Sequence, residues 1–178
     1  MRDYEGKGLA YAVEDFPTKQ VSPQTIYYIA DGVVKSAEVF LNQSTQLEWS
    51  AYSPIALLSQ FGAPSEVTFG LQVIHEPSPT PAKGWYSMTF FYHDLDLIIR
   101  YSDVEITLGE LITVCPNKDD FSQGAHMWLG KSPEYAPLPS QDGPLREVTS
   151  FTPESFRDFL LLGPGACFEL KATAIPIY

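Results

Sequence analysis

The sequence lacks the features that mark membrane-spanning and nucleic-acid-binding proteins. No apolar run approaches the roughly 18 residues needed to cross a bilayer, and lysine and arginine form no cluster. Only 11 Lys and Arg stand against 22 Asp and Glu, a net charge of −11. A surface this acidic repels nucleic-acid phosphates and anionic lipid headgroups. We therefore expect no nucleic-acid partner and no direct insertion into a membrane.

Cysteine and histidine are scarce. Cys115 and Cys167 are the two cysteines, and with three histidines they match no zinc-site pattern and no CxxC redox motif. As a disulfide they would close a loop of about 50 residues, worth about 4 kcal/mol in the chain-entropy model. The residues leave two alternatives open, namely this disulfide or two buried reduced thiols.

Motifs for catalysis and for cofactor binding are also missing. The sequence has no Gly-x-Ser-x-Gly elbow, and its glycine-rich stretch at 163–168 follows a predicted helix, whereas a phosphate-binding loop precedes one. His93, Asp94 and Asp96 form the one tight cluster of acid/base groups, but His and Asp are ordinary turn residues. Asp119 and Asp120 lack EF-hand spacing. We expect no enzyme, no metal site and no cofactor.

The residues that are present predict one folded domain over 1–178. Hydrophobic residues make up 44% of the chain and aromatic residues 13%, which excludes a disordered chain. Two short helices share one pattern, a Ser/Thr-Pro start and a Gly/Pro stop. The first begins after Ser53 and ends at Gly62, and the second begins after Thr152 and ends at Gly163. The buried stripes are predicted to be Ile55, Leu58 and Phe61 in the first helix, and Phe156, Phe159 and Leu160 in the second.

Strands are predicted over most of the remaining chain. Asp31-Gly32 between two β-prone runs, 25–29 and 33–41, indicates a hairpin. Further strands are expected at 66–74, 85–92, 97–101, 108–115 and 124–129, and a terminal strand or arm at 167–178. An exposed proline-rich loop is expected at 75–84 and a proline-rich connection at 131–144. This order predicts an α+β fold, mainly an antiparallel sheet with short helices packed on one face. The repeated helix pattern raises the further prediction of two related halves, 1–50 and 51–178.

Several segments resemble a group of exported proteins and lipoproteins of Chloroflexota-type bacteria. They are the helix and following strand at 52–67, the aromatic strand pair at 90–101, the Val-Cys-Pro at 114–116 and the Cys-Phe-Glu at 167–169. The helix, Gly-x-Pro and hairpin order is also similar to β-lactamase-inhibitor-protein-like domains and to small outer-membrane assembly lipoproteins. The resemblance implies a repeated helix-plus-sheet unit, a location in the cell envelope and a bridge between Cys115 and Cys167. A lipobox cysteine is not found near the N-terminus.

Aromatic residues supply the candidate binding surface. Alternation along 85–92 sends Trp85 and Phe91 to one face and Tyr86 and Tyr92 to the other, so large aromatics occur on both faces. Either both faces are covered, or one is an exposed patch of the kind that binds partners. Trp128 is expected to anchor the proline-rich tail. The candidate partner-binding residues are Trp85, Phe91, Tyr92, Trp128 and Tyr135.

These observations favour a non-enzymatic protein–protein interaction module of a bacterial envelope protein. The partner would contact the sheet face or the loops at 75–84 and 131–144. The first alternative is a small-ligand or glycan-binding domain that uses the aromatic sheet face, which a pocket lined by Trp85 and tyrosines would favour and a flat face would disfavour. The second is a hydrolase built on His93, Asp94 and Asp96. The N-terminal sequence as written has no signal peptide, so either the protein is cytoplasmic or an export signal has been removed.

Overall fold

The protein is an antiparallel sheet with short helices on one face, as the sequence predicts. The computed structural model describes residues 2–3, 10–11, 24–41, 49–74, 83–107, 109–116, 124–130, 142–171, 173 and 175. Eleven strands occur in the described residues: β1 Arg2–Asp3, β2 Ala10–Tyr11, β3 Gln24–Ala30, β4 Val33–Leu41, β5 Glu66–Ile74, β6 Lys83–Tyr92, β7 Leu97–Thr107, β8 Leu111–Val114, β9 Ala125–Gly130, β10 Gly143–Pro144 and β11 Phe168–Lys171. The helices are α1 Pro54–Phe61, α2 Leu145–Val148 and α3 Pro153–Leu160, with 3-10 turns at Trp49–Tyr52 and His93–Leu95.

Nine strands form the main sheet in the order β1-β2-β3-β4-β9-β7-β6-β5-β10, and all of its pairs are antiparallel. The β3–β4 hairpin turns at Asp31 and Gly32, which both have positive φ, as the Asp-Gly pair predicts. The β6–β7 hairpin turns through His93–Leu95. Strand β9 enters between β4 and β7 and joins the two hairpins into one sheet.

Both long helices begin with the predicted caps. The Ser53 side chain accepts a hydrogen bond from the Ala56 amide, and Pro54 follows at the first helical position. Thr152 and Ser155 form a reciprocal capping box before α3. Leu58, Phe156 and Leu160 are buried as predicted, whereas Ile55, Phe61 and Phe159 are half-buried.

The helices cover the face of the sheet that carries Met88, Phe90, Tyr92, Ile99 and Tyr101, which we call the helix face. Phe156 of α3 packs against Phe90 at a ring-centroid distance of 6.2 Å. The Tyr92 hydroxyl donates to the Gly62 carbonyl after α1. The helix face is therefore the hydrophobic core.

A second sheet of two strands, β8 and β11, completes the core with Ile112, Val114, Phe168 and Leu170. Cys115 follows β8, Cys167 precedes β11, and the two cysteines form a disulfide. This decides between the two alternatives left open by the sequence.

Three sequence predictions need correction. The terminal strand or arm expected over 167–178 is a strand only from Phe168 to Lys171 among the described residues. The loop expected to be exposed over 75–84 ends earlier, since β6 begins at Lys83 and Gly84 is buried. The proline-rich connection expected over 131–144 ends in Asp142, which is buried, and in β10, which pairs with β5. Residues 75–82 and 131–141 of the two predicted loops lie outside the described residues.

Candidate functional site

The candidate site lies on the other face of the main sheet, which we call the polar face. Cross-strand register places Thr68, Thr89, Arg100, His126 and Phe40 in one row across five strands. Successive residues of a strand point to opposite faces, so these side chains lie opposite the hydrophobic core. The row is polar over most of its length, in contrast to the apolar helix face.

Arg100 and Asp142 form the main ionic contact of this face. Arg100 Nη1 lies 3.6 Å from Asp142 Oδ2, and Arg100 Nη2 donates to Ser87 Oγ at 2.7 Å. The Thr68 hydroxyl donates to Asp142 Oδ2 at 3.3 Å. The Asp142 side chain is 2% exposed and that of Arg100 is 28% exposed. Burial raises the pKa of the Asp142 carboxyl above its ordinary value, while Arg100 and the Thr68 hydrogen bond act in the opposite direction.

Gly70 leaves space for this network. A β-carbon at Gly70 would lie 2.7 Å from Asp142 Oδ1, 2.8 Å from Ser87 Oγ and 3.3 Å from Arg100 Nη2. Carbon–oxygen contacts of this length require the neighbours to move. The absence of a side chain at position 70 therefore permits the close approach of Asp142, Ser87 and Arg100.

A cleft of about 280 Å³ opens beside the network. Its lining includes Gly70, Gln72, Trp85, Tyr86, Ser87 and Arg100. Trp85 is half-buried and lies directly across the β5–β6 pair from the exposed Gln72. The β6–β7 ladder has one extra residue on β7 between Tyr101 and Val104, opposite Ser87. Such bulges are common beside binding sites because they redirect side chains.

Glu38 and His126 form a second polar cluster on the same face. His126 Nε2 lies 2.5 Å from Glu38 Oε1, and the Tyr28 hydroxyl donates to Glu38 Oε2 at 2.6 Å. Burial lowers the pKa of His126, the adjacent Glu38 raises it, and the Arg100 charge lowers it further. The His126 ring stacks on Trp128 and Phe40, with centroid distances of 3.6 and 4.0 Å.

The polar face contains buried groups for which the described residues supply no hydrogen-bond partner. Thr89 Oγ1 and Trp128 Nε1 are both inaccessible and have no partner within the described part of the chain. Buried polar atoms are nearly always hydrogen-bonded, so orphaned ones need a reason. Both atoms belong to the face that carries the cleft.

The predicted partner-binding residues are divided between the two faces. Phe91, Tyr92 and Trp128 are buried, at 2%, 4% and 3% exposure. Tyr92 lies on the helix face, and Trp85 is the half-buried member that reaches a cleft. Phe91 and Tyr92 lie on opposite faces of β6, and both are buried. At these two positions, therefore, both faces of the aromatic strand are covered. Tyr135 lies outside the described residues, as does the proline-rich tail that Trp128 was expected to anchor.

His93, Asp94 and Asp96 are all exposed in the turn between β6 and β7. Among the residues that the structure describes, no three His, Cys, Asp or Glu side chains are grouped so that they could hold a metal ion. Asp119 and Asp120 lie outside the described residues. The hydrolase alternative thus stays a prediction.

A second cleft, of about 270 Å³, lies at the β5 edge of the sheet. It is lined by Ser65, Glu66, Val67, Pro144, Arg146 and Pro153, among others. Arg146 is exposed on α2, and the cleft has no aromatic ring among its described lining residues. It provides a comparison for the Trp85 cleft.

Sequence reasoning missed Arg100, Asp142, Ser87, Thr68 and Gly70 as a group. Arg100 follows two isoleucines in a strand, and Ser87 and Thr89 interrupt an aromatic run. Polar residues in alternation within an apolar strand could have indicated a second, polar face. No local signal points to Asp142, which is distant in sequence from its partners.

Comparison of the chain with protein-family models, with curated proteins and with solved structures found no match. The resemblance to exported Chloroflexota-type proteins therefore stays a prediction. None of the helices in the described part of the chain is long and apolar enough to cross a membrane.

Proposed function

We propose that this protein is a non-enzymatic binding domain that takes a small polar ligand in the cleft at Trp85 and Arg100. The observation that carries the proposal is the cleft itself. It combines a half-buried indole with a partly exposed guanidinium that a buried carboxylate holds in position. Ligand sites typically combine a concave apolar wall with a few fixed polar groups. A pocket at Trp85 was the feature expected of the ligand-binding alternative.

The fixed position of Arg100 supports the proposal. A surface arginine loses conformational entropy when a ligand immobilises it. Here Asp142 and Ser87 already hold the guanidinium, so part of this cost has been met in folding.

The disulfide indicates an oxidising compartment, because such bonds persist outside the reducing cytosol. We propose that this compartment is the bacterial cell envelope or the extracellular space. In such a compartment no reducing enzymes would break the disulfide, so the small two-stranded sheet beside it would keep its structure.

A protein partner is the second candidate, and the β3–β4 hairpin favours it. Val33 and Val34, next to its turn, are 55% and 53% exposed. Adjacent exposed valines at a hairpin tip are suited to contact with another protein. This surface is separate from the Trp85 cleft, so the two modes of binding do not exclude each other.

The test uses nitrogen-15 NMR of the full chain with a panel of methyl glycosides, amino acids and dicarboxylic acids. The chain has three tryptophans, and Trp85→Phe would assign the Trp85 indole signal. We expect at least one compound to shift the Trp85 indole and the Arg100 side-chain signals in a saturable way. Trp85→Ala should weaken binding of that compound about tenfold, the usual scale for loss of a central aromatic contact.

Arg146→Ala is the matched control, because it removes a cationic side chain from the second cleft. Its affinity should equal that of the wild type. The proposal would be wrong if every compound in the panel left the Trp85 and Arg100 signals unchanged, or if the shifts mapped to the Arg146 cleft.

A further inference from the structure

We propose that the ligand of the Trp85 cleft is an uncharged sugar ring, stacked on the indole and hydrogen-bonded through its hydroxyls to Gln72, Ser87 and Arg100. This inference rests on the proposed function and names its ligand class. Three properties of the cleft lead to it: an aromatic wall, mixed donors and acceptors, and a cancelled charge.

The aromatic wall is Trp85. The face of an aromatic ring carries partial negative charge and attracts partially positive hydrogen atoms. One face of a pyranose presents several C–H groups, whereas its edge presents hydroxyls. A half-buried indole beside polar side chains therefore matches a sugar that stacks with its C–H face and bonds with its edge.

The polar groups of the cleft both donate and accept hydrogen bonds. Arg100 is a donor only, whereas the Ser87 hydroxyl accepts from Arg100 and keeps its own proton to donate. The amide of Gln72, exposed across from Trp85, supplies both an acceptor and donors. A sugar hydroxyl also donates and accepts, so it pairs with all three. A carboxylate accepts only and would leave the acceptor of Gln72 unused.

Charge also disfavours an anionic ligand. The Arg100 guanidinium faces the buried Asp142 carboxyl, and Lys83, on the same strand as Trp85, pairs at 2.5 Å with Glu105 of the neighbouring strand β7. The opposite charges within each pair cancel locally, and the whole chain has a net charge of −11. The long-range field therefore repels an anion and leaves an uncharged ligand unaffected.

The cleft is slightly smaller than the roughly 300 Å³ lower bound for pockets that enclose drug-sized molecules. Its volume suits one ring rather than an extended chain. Gly70 lines the cleft, and a β-carbon added to it would lie within 2.8 Å of Asp142 Oδ1 and Ser87 Oγ. A methyl group there would displace the groups that hold Arg100, so Gly70→Ala should weaken sugar binding with Trp85 intact.

The experiment is calorimetric titration of the full chain with pairs of probes that differ at one exocyclic carbon, where a charged acceptor replaces a neutral hydroxyl. Methyl glucoside, methyl galactoside and methyl mannoside are compared with the corresponding methyl uronides, in which a carboxylate replaces one CH₂OH. We expect saturable millimolar binding of at least one neutral glycoside and at least about tenfold weaker binding of its uronide. Trp85→Ala should lower the affinity about tenfold, Trp85→Phe less, and Arg146→Ala not at all.

The outcomes separate the two proposals. If a uronide binds more tightly than its glycoside in a Trp85-dependent way, the ligand class is wrong and the cleft remains the binding site. The same holds if no glycoside binds at millimolar concentration while another compound shifts the Trp85 indole. If a glycoside binds Trp85→Ala and Gly70→Ala as tightly as it binds the wild type, both the ligand site and its ligand class are wrong. Thermal unfolding of each variant shows whether it is folded, and Trp85→Phe keeps the test valid if Trp85→Ala is not.

Discussion

At the scale of single residues, the polar face combines ionisable side chains with strong burial. His126 lies against two aromatic rings and contacts Glu38, whose side chain is 5% exposed. Asp142 is 2% exposed beside Arg100. Burial penalises the charged form of both groups, and the consequences for stability have opposite signs because one is a base and the other an acid.

His126 should make the protein less stable in mild acid. Its pKa in the folded protein is lowered by burial below the ordinary 6.5, so the unfolded chain binds the proton more readily. The free energy of unfolding should therefore fall as the pH falls from about 6.5 towards the folded-state pKa. His126→Gln should lack this loss in urea denaturation measured on both sides of that range. An identical pH dependence in the two proteins would contradict the prediction.

Asp142 should act in the opposite direction. Its pKa is raised in the folded protein, mainly by burial, so the native state binds the proton more readily than the unfolded chain. The contribution of Asp142 to stability should rise as the pH falls from the folded-state pKa towards 3.8. The measurement is the difference in unfolding free energy between wild type and Asp142→Asn across this range. The prediction is wrong if the difference is constant or changes with the opposite sign.

At the scale of elements, α3 combines an N-terminal cap with side chains that are buried against the sheet. The capping box of Thr152 and Ser155 satisfies amide groups at its start, and Phe156 and Leu160 are completely buried. An isolated helix of eight residues is marginal in water, so its stability comes from packing and from its cap.

Loss of the cap should weaken the protein slightly. Thr152→Ala removes the oxygen that accepts from the Ser155 amide and should lower the free energy of unfolding by about 1 kcal/mol. Ser150→Ala, at an exposed position two residues earlier, is the control and should change it by less than about 0.5 kcal/mol. Urea denaturation would give both values. If the two substitutions changed the free energy of unfolding equally, the cap would contribute no more to stability than an ordinary exposed side chain.

Loss of Phe156 should be far more damaging. Its ring contacts Phe69, Phe90, Phe151 and Phe168, with centroids 5.6–6.4 Å apart. Phe156→Ala leaves a cavity between helix and sheet and should cost about 3–5 kcal/mol. Phe156→Leu fills more of the space and should cost less. A loss below about 1 kcal/mol for the alanine variant would mean that this cluster is not the core we describe.

At the scale of the whole molecule, the disulfide connects the β8 segment to the segment after α3. Cys115 follows β8 and Cys167 precedes β11, so the bond closes a loop of 52 residues beside the second sheet. That sheet has only two short strands, and two-stranded sheets are marginal alone. The bond therefore holds together a part of the core whose own pairing is weak.

Removing the bond should destabilise the molecule globally. Replacing both cysteines by alanine should lower the free energy of unfolding by about 4 kcal/mol, since the unfolded chain regains the freedom of the open loop. Reduction of the wild-type protein with dithiothreitol is the independent comparison and should lower the thermal midpoint in the same direction. Unchanged midpoints in both experiments would contradict this role.

Local residues determined much of the fold. Asp31-Gly32 predicts the first hairpin turn because both positions need positive φ, and Ser53-Pro54 and Thr152-Pro153 predict the helix starts through their caps. Alternation along β6 predicts that Tyr86, Met88, Phe90 and Tyr92 share one face, and the structure shows that this face lies in the core. These features depend on neighbours in sequence, so they can be read from the chain.

The polar cluster depends on tertiary structure. Asp142 lies 74 residues from Thr68 and 42 from Arg100, and it reaches them because β10 pairs with β5 at the edge of the sheet. His126 meets Glu38 because β9 inserts between β4 and β7, an order that no hairpin signal shows. The sequence by itself thus determined turns, caps, strand faces and the acidic surface, which are local or additive properties. Only the order of strands in the sheet decided which distant polar residues share a face, because that order is set by packing of the whole chain.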